Sequence, residues 1–119
     1  MNKHYSISER ANVQILSFTS LTNEWENRQL LNILQEQINA GVHQFVADLS
    51  ELKLINCVGI NFLLSLLAKI QEVGGQLILT NVGEFVARLL AITNLTSVFE
   101  LQVSLEAAID QLTEESIFA

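Results

Sequence analysis

The chain has 119 residues, half of them hydrophobic, which suffices for one core of ordinary domain size and leaves no room for a second. Residues 1–119 are therefore expected to form a single domain. Thirteen acidic against six basic side chains give a formal charge of -7, which repels a phosphate backbone and an anionic membrane surface alike and argues against direct nucleic-acid binding.

The polar start Met1-Asn2-Lys3-His4 lacks the apolar stretch of a signal peptide. The longest apolar run, Phe62 to Ala68 interrupted by Ser65, is far below the ~20 residues that cross a bilayer. A cytoplasmic protein without direct membrane insertion is expected. Cys57 is the single cysteine, so no internal disulfide can form, and no second Cys or nearby His stands at zinc-ligand spacing. Neither a metal nor a cofactor is expected.

In chain order, Tyr5 to Arg10 and Val13 to Phe18 alternate as two short strands, with Ala11-Asn12 as a tight hairpin turn. From Asn23 to Ala40 the period becomes helical. Asn23 is the N-cap, Leu31, Leu34 and Ile38 form the apolar stripe flanked by Leu30 and Ile33, and Gly41 supplies the left-handed stop. Gln44 to Leu49 suits a central strand covered on both faces. A buried helix over Cys57 to Glu72 follows, with Asn61, Ser65, Lys69 and Glu72 as its one polar stripe.

Gly74-Gly75 ends that helix, and Gln76 to Thr80 forms another strand. Val82, Val86, Leu89 and Leu90 mark a helix that stops near Thr93-Asn94, and Val98 to Leu101 is the last strand. A final helix runs from a cap at Ser104 to about Glu115, with Leu105, Ala108, Ile109 and Leu112 inward. Its acidic residues Glu106, Asp110, Glu114 and Glu115 read as a solvated face. The order ββαβαβαβα demands right-handed crossovers, hence an α/β fold with a mixed, mainly parallel sheet and helices packed against it. Sites in such sheets form where loops leave the carboxyl ends of strands, which directs attention to the loop from Leu49 to Asn56.

The segment Asp48-Leu49-Ser50-Glu51-Leu52-Lys53-Leu54-Ile55-Asn56-Cys57-Val58-Gly59-Ile60 resembles the STAS-domain signature, in which a strand ending Asp/Asn-Leu-Ser precedes a helix opening Asp-Ser-Ser/Thr-Gly-Leu. Gly74-Gly75 before a strand, and Val86-Ala87-Arg88-Leu89-Leu90 followed by Thr93-Asn94-Leu95, also stand at that family's spacing. The resemblance implies a STAS fold of the anti-sigma factor antagonist type, a regulatory module and not an enzyme. It also implies a kinase-type anti-sigma factor as partner, which phosphorylates a serine at the start of the second long helix and is thereby released. A phosphate there adds about -1.5 to -2 charges at a helix N-terminus.

The chain departs from the signature at that serine. Cys57 stands at the phospho-acceptor position and Asn56 at the acidic one before it, and Thr19-Ser20-Leu21-Thr22 replaces the family's Gly-x-Leu-Asp element. The serine switch is expected to be lost. Asn56, Cys57, Val58, Gly59, Asn61 and Leu64 are the candidate partner-binding residues, with Asp48 and Ser50 in the adjoining loop. STAS domains also serve as structural subunits of lipid-transport ABC systems and of sensory assemblies, which is the alternative reading.

A third reading makes Cys57 a redox sensor, since a thiol at a helix N-terminus can be reactive; a small residue replacing serine is the plainer account. His43 and Cys57 bracket a whole strand, so no Cys–His catalytic pair is expected, and no phosphate loop or carboxylate dyad is visible. His4 and His43 read as solvated, Trp25 as packed against the neighbours of its helix, and Asp48 as a cap for the loop rather than a cation ligand.

Overall fold

The computed structural model describes residues 4–52 and 55–118, with side chains described up to Thr113. The polar start at 1–3, Lys53-Leu54 of the loop, and the side chains of Glu114 and Glu115 lie outside it. Its elements are β1 (Tyr5–Arg10), β2 (Val13–Phe18), α1 (Glu24–Asn39), β3 (Gln44–Asp48), α2 (Cys57–Glu72), β4 (Gln76–Thr80), α3 (Glu84–Ile92), β5 (Glu100–Gln102) and α4 (Leu105–Phe118). The five strands lie in one sheet in the order β1-β2-β3-β4-β5. Only β1 is antiparallel to its neighbour. The expected mixed, mainly parallel sheet and the order ββαβαβαβα are both present.

The opening hairpin closes through Ala11 and Asn12, whose φ values of 55° and 65° are both left-handed. Two such residues make the turn whose twist matches paired strands, and Arg10 stands opposite Val13 across it. Asn is at ease in this conformation; Ala is not, and its Cβ costs about 1 kcal/mol there.

Because the strand order follows the chain order, each right-handed crossover places its helix on the same face. Leu16 and Phe18 of β2, Phe45 and Ala47 of β3, and Leu77 and Leu79 of β4 point to that face and meet Leu30, Leu34 and Ile38 of α1, Phe62, Leu63, Leu66 and Ile70 of α2, and Val86 and Leu90 of α3. The alternate residues Val13, Val46 and Ile78 point the other way and are covered by Ala108 and Leu112 of α4. Strand β3 is thus buried on both sides, as its continuous apolar run requires.

Asn23 accepts the Glu26 amide at 2.9 Å, Gly41 is left-handed at φ 106°, and Ser104 accepts the Ala107 amide at 3.2 Å, so these three punctuating residues act as expected. The inner stripe of α1 keeps the expected Leu34 and Ile38, but Leu30 takes the place of Leu31 and Asn27 extends the stripe toward the N-terminus. Leu31 is half-buried and Ile33 exposed at the surface. Strand β3 stops at Asp48 rather than Leu49, and α4 continues to Phe118, past the expected Glu115.

The last strand departs further. Val98 lies in a turn, its amide bonded to Leu95 O at 3.0 Å, and pairing with β4 begins only at Glu100.

Candidate functional site

The carboxyl ends of β3 and β4 hold the loop that leads into α2. Asp48 Oδ1 accepts the Ser50 amide at 3.0 Å and the Asn81 side-chain amide at 3.1 Å. The Leu49 amide donates to Thr80 O at 2.9 Å, so the two strand ends are tied together beyond their last regular rung. Asp48 is the loop cap expected from its position, and Asn81, left-handed at φ 54°, turns its side chain toward it.

The loop then delivers Asn56 as the N-cap of α2. Its Oδ1 accepts the amides of Val58 at 3.0 Å and Gly59 at 3.4 Å, satisfying two of the free donors of the first turn. Cys57 is the first helical residue, and its free thiol is exposed. Gly59 is buried because the backbone of the Leu21 loop crosses it. A Cβ there would stand 2.6 Å from Ile55 Cγ1 and 2.9 Å from both Leu21 Cβ and Leu21 O. The small residue thus permits a contact that holds the start of α2 against the segment joining β2 to α1.

Helices α1 and α2 leave between them a surface groove of about 230 Å³, lined by Glu24, Asn27, Arg28 and Leu31 on one side and Val58, Asn61, Phe62 and Ser65 on the other. Of the sequence-derived candidates, Val58 and Asn61 line this groove, and Cys57 stands exposed at its α2 end. Leu64 is half-buried against the core, and Ser50 is exposed in the loop. The apolar excess on α2 is taken up mostly by burial. Phe62 meets Phe18 edge-on with ring centroids 5.7 Å apart.

The α1 side of the groove was not anticipated. Glu24 and Arg28 form an exposed i,i+4 ion pair at 2.9 Å; that spacing is legible in the sequence, but its apposition to α2 is not.

His43 is exposed just before β3 and Cys57 just after the loop beyond it. The five-residue strand between them spans roughly 17 Å, so these two residues form no Cys–His pair. His4, expected to be solvated, is half-buried with its Nε2 3.8 Å from a Glu26 carboxylate oxygen. Trp25, expected to pack against neighbours of its helix, is 67 % exposed. The α1 face that carries it turns outward, because position 25 lies nearly opposite the buried stripe of Asn27, Leu30, Leu34 and Ile38 around the helix. Among the described residues, no three His, Cys, Asp or Glu side chains cluster as a metal site, and no helix is long and apolar enough to cross a membrane.

Comparison with known proteins bears on this geometry. The STAS-domain family model matches residues 12–108, most of the chain, and the protein belongs to that family. Among solved structures, it is similar to an anti-sigma factor antagonist from Mycobacterium paratuberculosis at 19% identity and a TM-score of 0.74, covering 90% of this chain and 91% of that one. It is likewise similar to the Bacillus anti-sigma factor antagonist SpoIIAA in its unphosphorylated form, at 16% identity and a TM-score of 0.79 over 92% and 96% of the two chains. A chain from the stressosome, a signal integration and transduction hub, matches at 16% identity and a TM-score of 0.70 over 93% and 98%. At these identities the likeness establishes the fold. No curated protein matches the chain.

Proposed function

We propose that this protein is a cytoplasmic, non-enzymatic regulatory module, one STAS domain over residues 1–119, that binds a kinase-type anti-sigma factor through the start of α2 and the groove beside it. The observation that carries the reading is the exposure of Asn56 and Cys57 at the start of α2. Asn56 caps the helix, Asp48 ties the ends of β3 and β4 beside it, and Cys57 stands where the family signature has its phospho-acceptor serine. The groove flanked by Val58, Asn61 and Arg28 offers both apolar and polar contacts to a partner.

With a thiol in place of the hydroxyl, the serine-kinase switch is lost and binding does not end on exposure to the kinase and ATP. The test pairs the tagged chain with its Asn61→Arg and Cys57→Ser variants in the native host. Wild type should retain an anti-sigma kinase that Asn61→Arg loses. With ATP, only Cys57→Ser should gain phosphate at position 57 and release the partner. Phosphate appearing on Ser50 or another nearby hydroxyl of the wild type would sink the loss of the switch.

The stressosome likeness favours a second reading, a structural subunit of a sensory assembly. Recovery of such subunits, or of lipid-transport ABC components, in place of a kinase would establish it.

A further inference from the structure

On the flank of α1 that faces away from α2, a second cleft of about 250 Å³ lies between this helix, the start of β1 and the Ser20-Leu21 segment. Buried Leu21 and Leu30 line it, together with half-buried Tyr5 and the partly exposed Ile33, while Trp25 stands largely in water beside them. Glu26 is also in the lining, with the His4 imidazole, itself in the lining, 3.8 Å from its carboxylate.

We propose that this cleft receives an arginine side chain presented by a partner protein, its guanidinium stacked on the Trp25 indole and paired with Glu26, its methylene stem lying over Leu30 and Ile33. Indole is the best aromatic acceptor for a cation, and the planar guanidinium can stack and bond a carboxylate together. The formal charge of -7 favours approach of a cationic surface. The cleft is open and smaller than the roughly 300–1,000 Å³ of small-molecule sites, which suits one side chain held by a polypeptide better than a free ligand. The site shares only Asn27 with the groove described above, and neither Trp25 nor Glu26 lines that groove.

Trp25 is the single tryptophan, so its fluorescence reads the site directly. The probe is a blocked pentapeptide, Gly-Leu-Arg-Leu-Gly, compared with its neutral citrulline counterpart and with free ethylguanidinium. We expect a saturable change with the arginine peptide at millimolar concentration. Binding should be about tenfold weaker for citrulline and for ethylguanidinium, and about fivefold weaker for Glu26→Gln, consistent with roughly 1–1.4 kcal/mol for a partly exposed charge contact. Asn61→Arg should leave the titration unchanged. No saturable change up to about 10 mM, equal binding of the citrulline peptide, equal binding of ethylguanidinium, or loss of binding in Asn61→Arg would each overturn the proposal.

Discussion

Replacing Gly59 by alanine sets two effects of opposite sign against each other. In a helix interior, alanine is favoured over glycine by about 1 kcal/mol, so an unobstructed position would gain stability. At Gly59 the added methyl would stand 2.6 Å from Ile55 Cγ1 and 2.9 Å from Leu21 Cβ and O; reaching ordinary contact requires a displacement of about 0.5–0.8 Å. Leu21 cannot retreat freely, since its side chain is buried and its carbonyl accepts the buried Asn27 amide at 3.0 Å.

Overpacking of this kind costs about 1–3 kcal/mol, and weakening the Asn27 bond adds about 1. The net effect is a loss of about 2 kcal/mol. In urea, with a slope of about 1.5 kcal/mol/M, the midpoint should fall by roughly 1.3 M with the slope unchanged. A Gly59→Ala protein as stable as wild type, or more so, would refute the close approach of α2 to the Leu21 loop.

Three further outcomes follow from the same geometry. Asn56→Ala removes the acceptor of the Val58 and Gly59 amides and should cost about 1 kcal/mol in urea unfolding, with faster amide exchange confined to the first turn of α2. Ala11→Gly relieves the left-handed alanine at φ 55° and should raise Tm by about 2–4 °C, a gain of about 0.5 kcal/mol after glycine's entropy cost. A double-mutant cycle with Phe18→Leu and Phe62→Leu should give a coupling of about 1 kcal/mol from their edge-on contact; additive losses would contradict it.

Periodicity located the strands and helices whose polar and apolar residues alternate cleanly. Cys57–Glu72 and Gln76–Thr80 were legible to the residue because one has a narrow polar stripe and the other is bounded by Gly74-Gly75. The last strand was misplaced because Val98 and Phe99 look like strand residues. In the fold, Val98 sits in a turn and Phe99 drops into the core, and a strand of only three residues carries too little pattern to compete.

The exposure of Trp25 is hidden in the sequence for a related reason. The residues of α1 allow the apolar stripe to be drawn through Leu31 or through Leu30, and only packing on the sheet selects Leu30 and turns position 25 outward. The loop and the start of α2 were found because they lie together in the chain. The α1 side of the groove, supplied by Glu24, Arg28 and Leu31, comes from a helix some thirty residues earlier, and no local pattern connects it to Cys57.

The two faces of the sheet acquire their cover at different moments of synthesis. Helices α1, α2 and α3 each emerge between two of the strands they cover, so that face can consolidate as the chain lengthens. The face bearing Val13, Val46 and Ile78 waits for α4, which follows all five strands in the chain. Until then those side chains form an exposed apolar strip, the kind of surface on which nascent chains aggregate or engage chaperones. A truncation before Leu105 would make that transient exposure permanent.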